Sequence, residues 1–323
     1  MKPPVSLLLL TVLGGTAMGT VVTLAILASD LTPPVLAFTL GTAWVLGTLG
    51  ALASFFHMHR LKAARYVLSR LKTSWLSREV LTTGLFVAAT LAAWVSVESP
   101  FASAAASRLL LLLAAALGVV AAFVTAMIYR TIPAMRSWYT PWTVPAMMGT
   151  GLVVGAAVDA ALFALLGAPS ELRTALDAAV GAAGLLLGAV KIAQWQAFSA
   201  AWRWLTQQHA GLGPVPYRVH DTGTSRPPYR TQTQVWPSLP PATRIRLKAV
   251  VLLALVGGPL LIALSTPLPA LTSAAAGLVL AGALVERWLF FADAVHSSRL
   301  WFSDPSPFEA TRTAGFPVPG RQP

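Results

Sequence analysis

The chain has 323 residues, of which 56% are apolar and 11% charged, with a formal charge of +12 and no cysteine. Together with a mean hydropathy of +0.68, this balance excludes an ordinary soluble domain and marks an integral membrane protein. The missing cysteines exclude disulfides, iron–sulfur clusters held by this chain's own thiolates, and the Cys-x-x-Cys-His attachment of c-type haem.

Eight apolar runs are long enough to cross about 30 Å of hydrocarbon as helices. They cover residues 5–28, 35–57, 79–98, 107–130, 143–166, 174–204, 246–265 and 270–296. The expected fold is an all-α integral membrane protein, a bundle of eight transmembrane helices within residues 1–300. That domain includes a docking loop over 206–243, and a tail over 301–323 follows it. Lys2 followed by Leu7 to Leu10 imitates a signal peptide, but apolar character continues to Ala28, past an h-region of about 7 to 15 residues. The first run is read as a retained span. Glycines at 14–15, 149–155 and 181–188 fall inside spans, where small residues let helices approach closely, so a phosphate cradle is not expected from them.

His57 closes the second run and Glu79 opens the third, which places both at the same membrane edge, with Ser77 as the expected cap. Between them runs a basic and aromatic connector holding Tyr66, Trp75 and Arg78. A histidine and a carboxylate at one edge suit a quinone head group, whose reduction or oxidation moves two electrons and two protons. Tyr66 and Trp75 are candidate flat walls. The structural alternatives are an interfacial histidine bonded to a helix end and an acid placed by the helix dipole.

At the end of the fourth run Tyr129 and Arg130, with Trp138, Tyr139 and Trp142, form an aromatic belt that also suits a pocket wall. Asp159 in the fifth run and Lys191 in the sixth are intramembrane charges. Either they pair or serve a proton path, or Lys191 snorkels to the headgroups. The last run carries Glu286 and Arg287, read as a buried pair tying helices together or as part of the quinone pocket. Glu286, Phe290 and Asp293 share a helix face, with Arg287 on another.

Of the 23 lysines and arginines, only Arg108 and Arg173 fall on one side when loops are assigned alternately, and Lys191 lies within a span. By the positive-inside rule the basic side is cytoplasmic, and with it both termini and the long loops. This distribution also accounts for the net charge without nucleic acid. The 206–243 loop is rich in proline, arginine and aromatics, with no core of its own, and reads as a docking surface for a partner or for lipid headgroups. His57, His59 and His296 sit only at span ends, and His209 and His220 in the loop, so no haem and no metal site are expected in this chain.

The run Thr73-Ser74-Trp75-Leu76-Ser77-Arg78-Glu79, His57 before it, Tyr129, Trp138 and Pro141 after the fourth span, and Glu286 to Phe291 in the last resemble the dimethyl sulfoxide reductase membrane-anchor family. The likeness covers nearly the whole chain, and within the family it is greatest to anchors of cytoplasmic sulfite-oxidising (sulfite:quinone) enzymes. Where that family has Gly and Pro shortly after the histidine, this chain has His59 and Leu61. The resemblance implies the quinone-reactive subunit of a three-part molybdenum enzyme in the bacterial inner membrane. A molybdopterin catalytic subunit and a ferredoxin-like subunit with iron–sulfur clusters would dock from the cytoplasm. The substrate chemistry would lie on the partner, and ubiquinone or menaquinone would meet His57 and Glu79. The alternatives are a quinol-oxidising anchor of a terminal reductase and, from another class, a secondary transporter, which favours a midplane site in matched halves.

Overall fold

The computed structural model describes residues 3–57, 61–204, 239–265, 268–294 and 296, leaving out the side chains of 55, 57, 61–65 and 201–204. Eight of its helical segments are long and apolar enough to cross a membrane. We label the helices α1 (Val5–Leu27), α2 (Pro33–Ala53), α3 (Trp75–Glu98), α4 (Ala104–Arg130), α5 (Thr143–Leu166), α6 (Ser170–Trp204), α7 (Pro241–Leu252), α8 (Gly258–Leu264) and α9 (Pro269–Ala292). A π-turn over Leu253–Gly257 joins α7 to α8, and the two make one span. Apart from an isolated bridge between Met135 and His296, the described residues form no β-structure.

The helix starts follow their caps. Ser74 accepts the N–H of Ser77 at 3.3 Å and begins α3 at Trp75, and Ser103 accepts that of Ala106 at 3.2 Å to begin α4. The expectation that Ser77 caps the third span at Glu79 is therefore corrected: Ser77 is the donor, and Glu79 lies a full turn inside the helix. Likewise α2 ends at Ala53 and passes into a 3-10 turn, Ser54–His57, so His57 ends a turn rather than a span. The last span stops at Ala292, short of residue 296.

In lipid, helices gain little from burying apolar surface against one another, so close van der Waals packing must hold the bundle together. α1 lies at its centre, against α2, α4, α5 and α9. Its contact with α5 is backbone to backbone: a methyl group added at Gly19 would lie 2.2 Å from the Gly151 carbonyl oxygen, and one at Gly155 only 2.3 Å from the Thr20 nitrogen. On α6, Gly184 leaves room for Pro259, whose ring a Cβ there would meet at 2.5 Å. The π-turn just before Pro259 takes up the helix disturbance that proline imposes. Large apolar side chains such as Leu109, Leu186 and Leu253 remain exposed and face the hydrocarbon.

One buried cluster gathers Leu8, Ala126, Tyr129, Met147, Phe198, Phe290 and Ala294. It joins the start of α1, the ends of α4, α6 and α9, and the start of α5 at a single end of the bundle. Arg130, Arg136 and Arg244 lie near that end, which we call the basic face.

Candidate functional site at a cavity near the basic face

Glu79 is 7% exposed, and the hydroxyl of Thr125 on α4 donates to its Oε1 at 2.8 Å. A carboxyl group in hydrocarbon needs such a partner. Trp75 packs edge-on against Phe123 of α4, with centroids 6.4 Å apart, and holds the start of α3 to α4. Arg78 turns away from Glu79. Its Nε and Nη2 donate to the carbonyls of Leu71 and Lys72 at 2.9 and 2.7 Å, with the guanidinium 4.3 Å from the Trp75 ring centre. In this structure Arg78 clamps the connector. Tyr66 is exposed on the connector before α3. The backbone of His57 ends the turn after α2, while its side chain, His59, the loop over 205–238 and the tail lie outside the described residues.

Tyr129 is buried and ringed by Trp138, Phe290 and Phe291, all with centroids between 5.3 and 5.6 Å of its own. Trp138 stacks on Phe290 at 11° and donates its indole N–H to the Phe290 carbonyl at 3.1 Å. Arg130 lies over the Tyr139 ring at 4.7 Å.

Lys191 does not snorkel. It is 1% exposed, and its Nζ donates to Glu286 of α9 and to Gln194 one turn along α6. The partner supplied by α9 offsets the cost of burial, which the sequence around Lys191 does not reveal. Glu286 also faces its chain neighbour, with Arg287 Nη2 at 3.4 Å from Oε2. Glu286 therefore joins α9 to α6 through Lys191, a cation that the sequence reading sets beside Asp159, and not through Arg287 alone. Asp159 is fully buried and is not Lys191's partner. It faces Thr20 and Thr23, whose hydroxyls donate to the carbonyls of Gly155 and Gly19.

Past the end of α9, Asp293 meets Arg244 of α7, with Oδ1 to Nε at 2.8 Å. Burial raises the Asp293 carboxyl above its ordinary value despite Arg244 and Lys248, and burial lowers the His296 imidazole below its own. Thr125, Gln194 and the Arg244–Asp293 pair were not anticipated. Only Gln194, three residues from Lys191 on a helix, carried a local signal.

A cavity of about 40 Å³ opens between the helices at this end, lined by Thr11, Gly14, Thr83, Phe86, Thr125 and Arg287 among others. It lies beside the Glu79–Thr125 pair, because Thr125 belongs to both and Thr83 is one turn along α3 from Glu79. Tyr129 is within electrostatic reach of both Glu79 and Arg287.

The chain is 31% identical over 267 residues to the C subunit of the sulfite dehydrogenase of Allochromatium vinosum, covering 77% of this chain and 80% of that protein. It is 28% identical over 194 residues to the C component of the anaerobic dimethyl sulfoxide reductase of Escherichia coli K12, covering 58% of this chain and 67% of that protein. The family model of the DMSO reductase anchor subunit (DmsC) matches residues 1–292. With eight membrane-length helices and that match over nearly its whole length, the chain belongs to the DMSO reductase anchor subunit family.

Proposed function

We propose that this chain is the quinone-reactive membrane anchor of a three-subunit molybdopterin oxidoreductase, passing electrons from the iron–sulfur clusters of a ferredoxin-like partner to membrane ubiquinone or menaquinone. The catalytic partner oxidises sulfite: sulfite and water give sulfate, two electrons and two protons, and the quinone takes up two electrons and two protons to become quinol. The observation that carries the reading is Glu79, a buried carboxyl held by Thr125 one turn inside the basic face. A carboxyl there can hand a proton to, or take one from, a quinone oxygen, and Thr125 fixes which oxygen of the carboxyl faces α4. The two relatives are named as subunits of a sulfite dehydrogenase and a dimethyl sulfoxide reductase, which supports partner-borne substrate chemistry. Quinol oxidation for a terminal reductase would use the same pocket in reverse. On this reading the basic face is cytoplasmic, and the loop over 206–243 and the tail meet the soluble partners.

The test is purification of the tagged chain from its native bacterial inner membrane, with mass spectrometry and metal analysis. Two larger subunits arriving with molybdenum and iron are expected. A chain that purifies alone and metal-free would overturn the reading and bring transport forward.

A further inference from the structure

Arg287 is 2% exposed, yet it is only partly paired. Its Nη2 faces Glu286, while Nε and Nη1 have no hydrogen-bond partner among the described residues. Arginine carries five N–H donors and stays charged in proteins, so unpaired donors in a membrane interior call for an oxygen acceptor. The Phe290 ring, 5.6 Å from the guanidinium, and the ion pair with Glu286 limit how the group can turn. The space it borders is the cavity shared with Thr11, Thr83 and Thr125.

We infer that this cavity seats the oxygen-bearing edge of the quinone ring, with the Arg287 guanidinium donating to one carbonyl oxygen across the cavity from the Glu79–Thr125 pair. The inference rests on the quinone-reactive reading above and adds to it a binding residue from α9, a helix distant in sequence from His57 and Glu79. The volume fits this role: about 40 Å³ corresponds to roughly three water positions. That is enough for one edge of a ring. A quinone carbonyl oxygen entering the cavity supplies the acceptor that Arg287 Nε and Nη1 lack among the described residues. The guanidinium also favours negative charge developing on that oxygen as electrons arrive.

Gly14 gives a steric test that leaves Arg287 in place. It lines the cavity, and a Cβ built there meets nothing within 4 Å, so Gly14→Val begins its side chain in open space on the cavity wall. Gly84 has equally open surroundings but is exposed on α3, outside the cavity lining, and serves as the control.

The experiment titrates the intact purified complex with a fluorescent hydroxyquinoline N-oxide, a quinol analogue, and follows quenching. Arg287→Met is expected to weaken binding by about tenfold or more, the size of a lost charge-assisted hydrogen bond. Gly14→Val should weaken it comparably, and Gly84→Val should leave it unchanged. If Arg287→Met fails to assemble, Gly14→Val decides. Wild-type binding that both Gly14→Val and an assembled Arg287→Met retain would overturn the inference, leaving a water-filled cavity and the quinone reading intact. A wild-type complex that neither binds the analogue nor reduces quinone would instead overturn the reading beneath it.

Discussion

Glu286 stands between two cations, and this unequal arrangement makes its removal costlier than that of either partner. Lys191, Glu286 and Arg287 together carry two positive charges and one negative, with each side chain no more than 2% exposed. Glu286→Gln leaves two ammonium- and guanidinium-type charges facing each other in hydrocarbon, a loss of roughly 3–5 kcal/mol by comparison with other broken buried pairs. Lys191→Met instead leaves Glu286 with Arg287, a neutral pair, and forfeits hydrogen bonds to a charged group worth about 1.5–3 kcal/mol. In the double variant only Arg287 remains charged, so its cost should fall short of the sum of the singles by about 1–3 kcal/mol. Equilibrium unfolding of the detergent-solubilised chain by SDS, followed by tryptophan fluorescence and circular dichroism, measures all three. If Lys191→Met is as damaging as Glu286→Gln, or if the two losses simply add, then Glu286 is not the shared counter-charge and the geometry assigned to this cluster is wrong.

The crossing of α1 and α5 predicts that even Gly155→Ala is costly, since its new methyl would lie 2.3–2.5 Å from backbone atoms of Gly19 and Thr20. Overpacking of that kind loses about 1–3 kcal/mol, whereas Gly277→Ala, exposed on α9 with nothing within 4 Å, should be neutral or gain up to about 1 kcal/mol. Thermal aggregation of the two variants in the same detergent checks the contrast. Because burial raises the Asp293 carboxyl in the fold, the folded state holds that proton more tightly than the unfolded chain. Its contribution is therefore present below the ordinary carboxylate value of 3.8 and is lost as pH rises through the raised value. His296 has the opposite sign: its lowered value means stability that is present above 6.5 and lost on acidification. Stability profiles against pH should accordingly lose part of their rise toward neutrality in His296→Gln and part of their fall in Asp293→Asn. Profiles unchanged by both substitutions would show that neither group is buried as described.

The spans were legible because a membrane crossing is set by local length and apolarity, which the chain displays run by run. The fifth run coincides with α5 at both ends, and the glycine patches expected to allow close helix approach do so at Gly151, Gly155 and Gly184. Helix starts are harder to read where polar residues belong to the first turn. Trp75 through Arg78 do not extend the apolar run, yet the cap at Ser74 makes them helical and draws Glu79 inward. Partnerships between helices were the least legible. Nothing near Glu79 names Thr125, 46 residues away, and nothing near Lys191 names Glu286, 95 residues away, because both depend on which helices pack together. Snorkelling stays open for Lys191 in the sequence for the same reason: its distance from the membrane face is read along one helix, without the carboxylate that another helix brings to it. That two Arg287 nitrogens find no partner among the described residues is likewise a property of packing.

Sulfite-dependent reduction of a short-chain ubiquinone analogue by native membranes is the most direct measurement of the central claim, made on wild type and on Glu79→Gln, a substitution close in shape that keeps an acceptor for Thr125. The account predicts quinone reduction by wild type and its loss in Glu79→Gln, while sulfite oxidation with an artificial soluble electron acceptor, which bypasses the membrane subunit, continues in both. Undiminished quinone reduction by Glu79→Gln would contradict the role given to the buried carboxyl, and wild-type membranes that reduce no quinone with any donor would contradict the account as a whole.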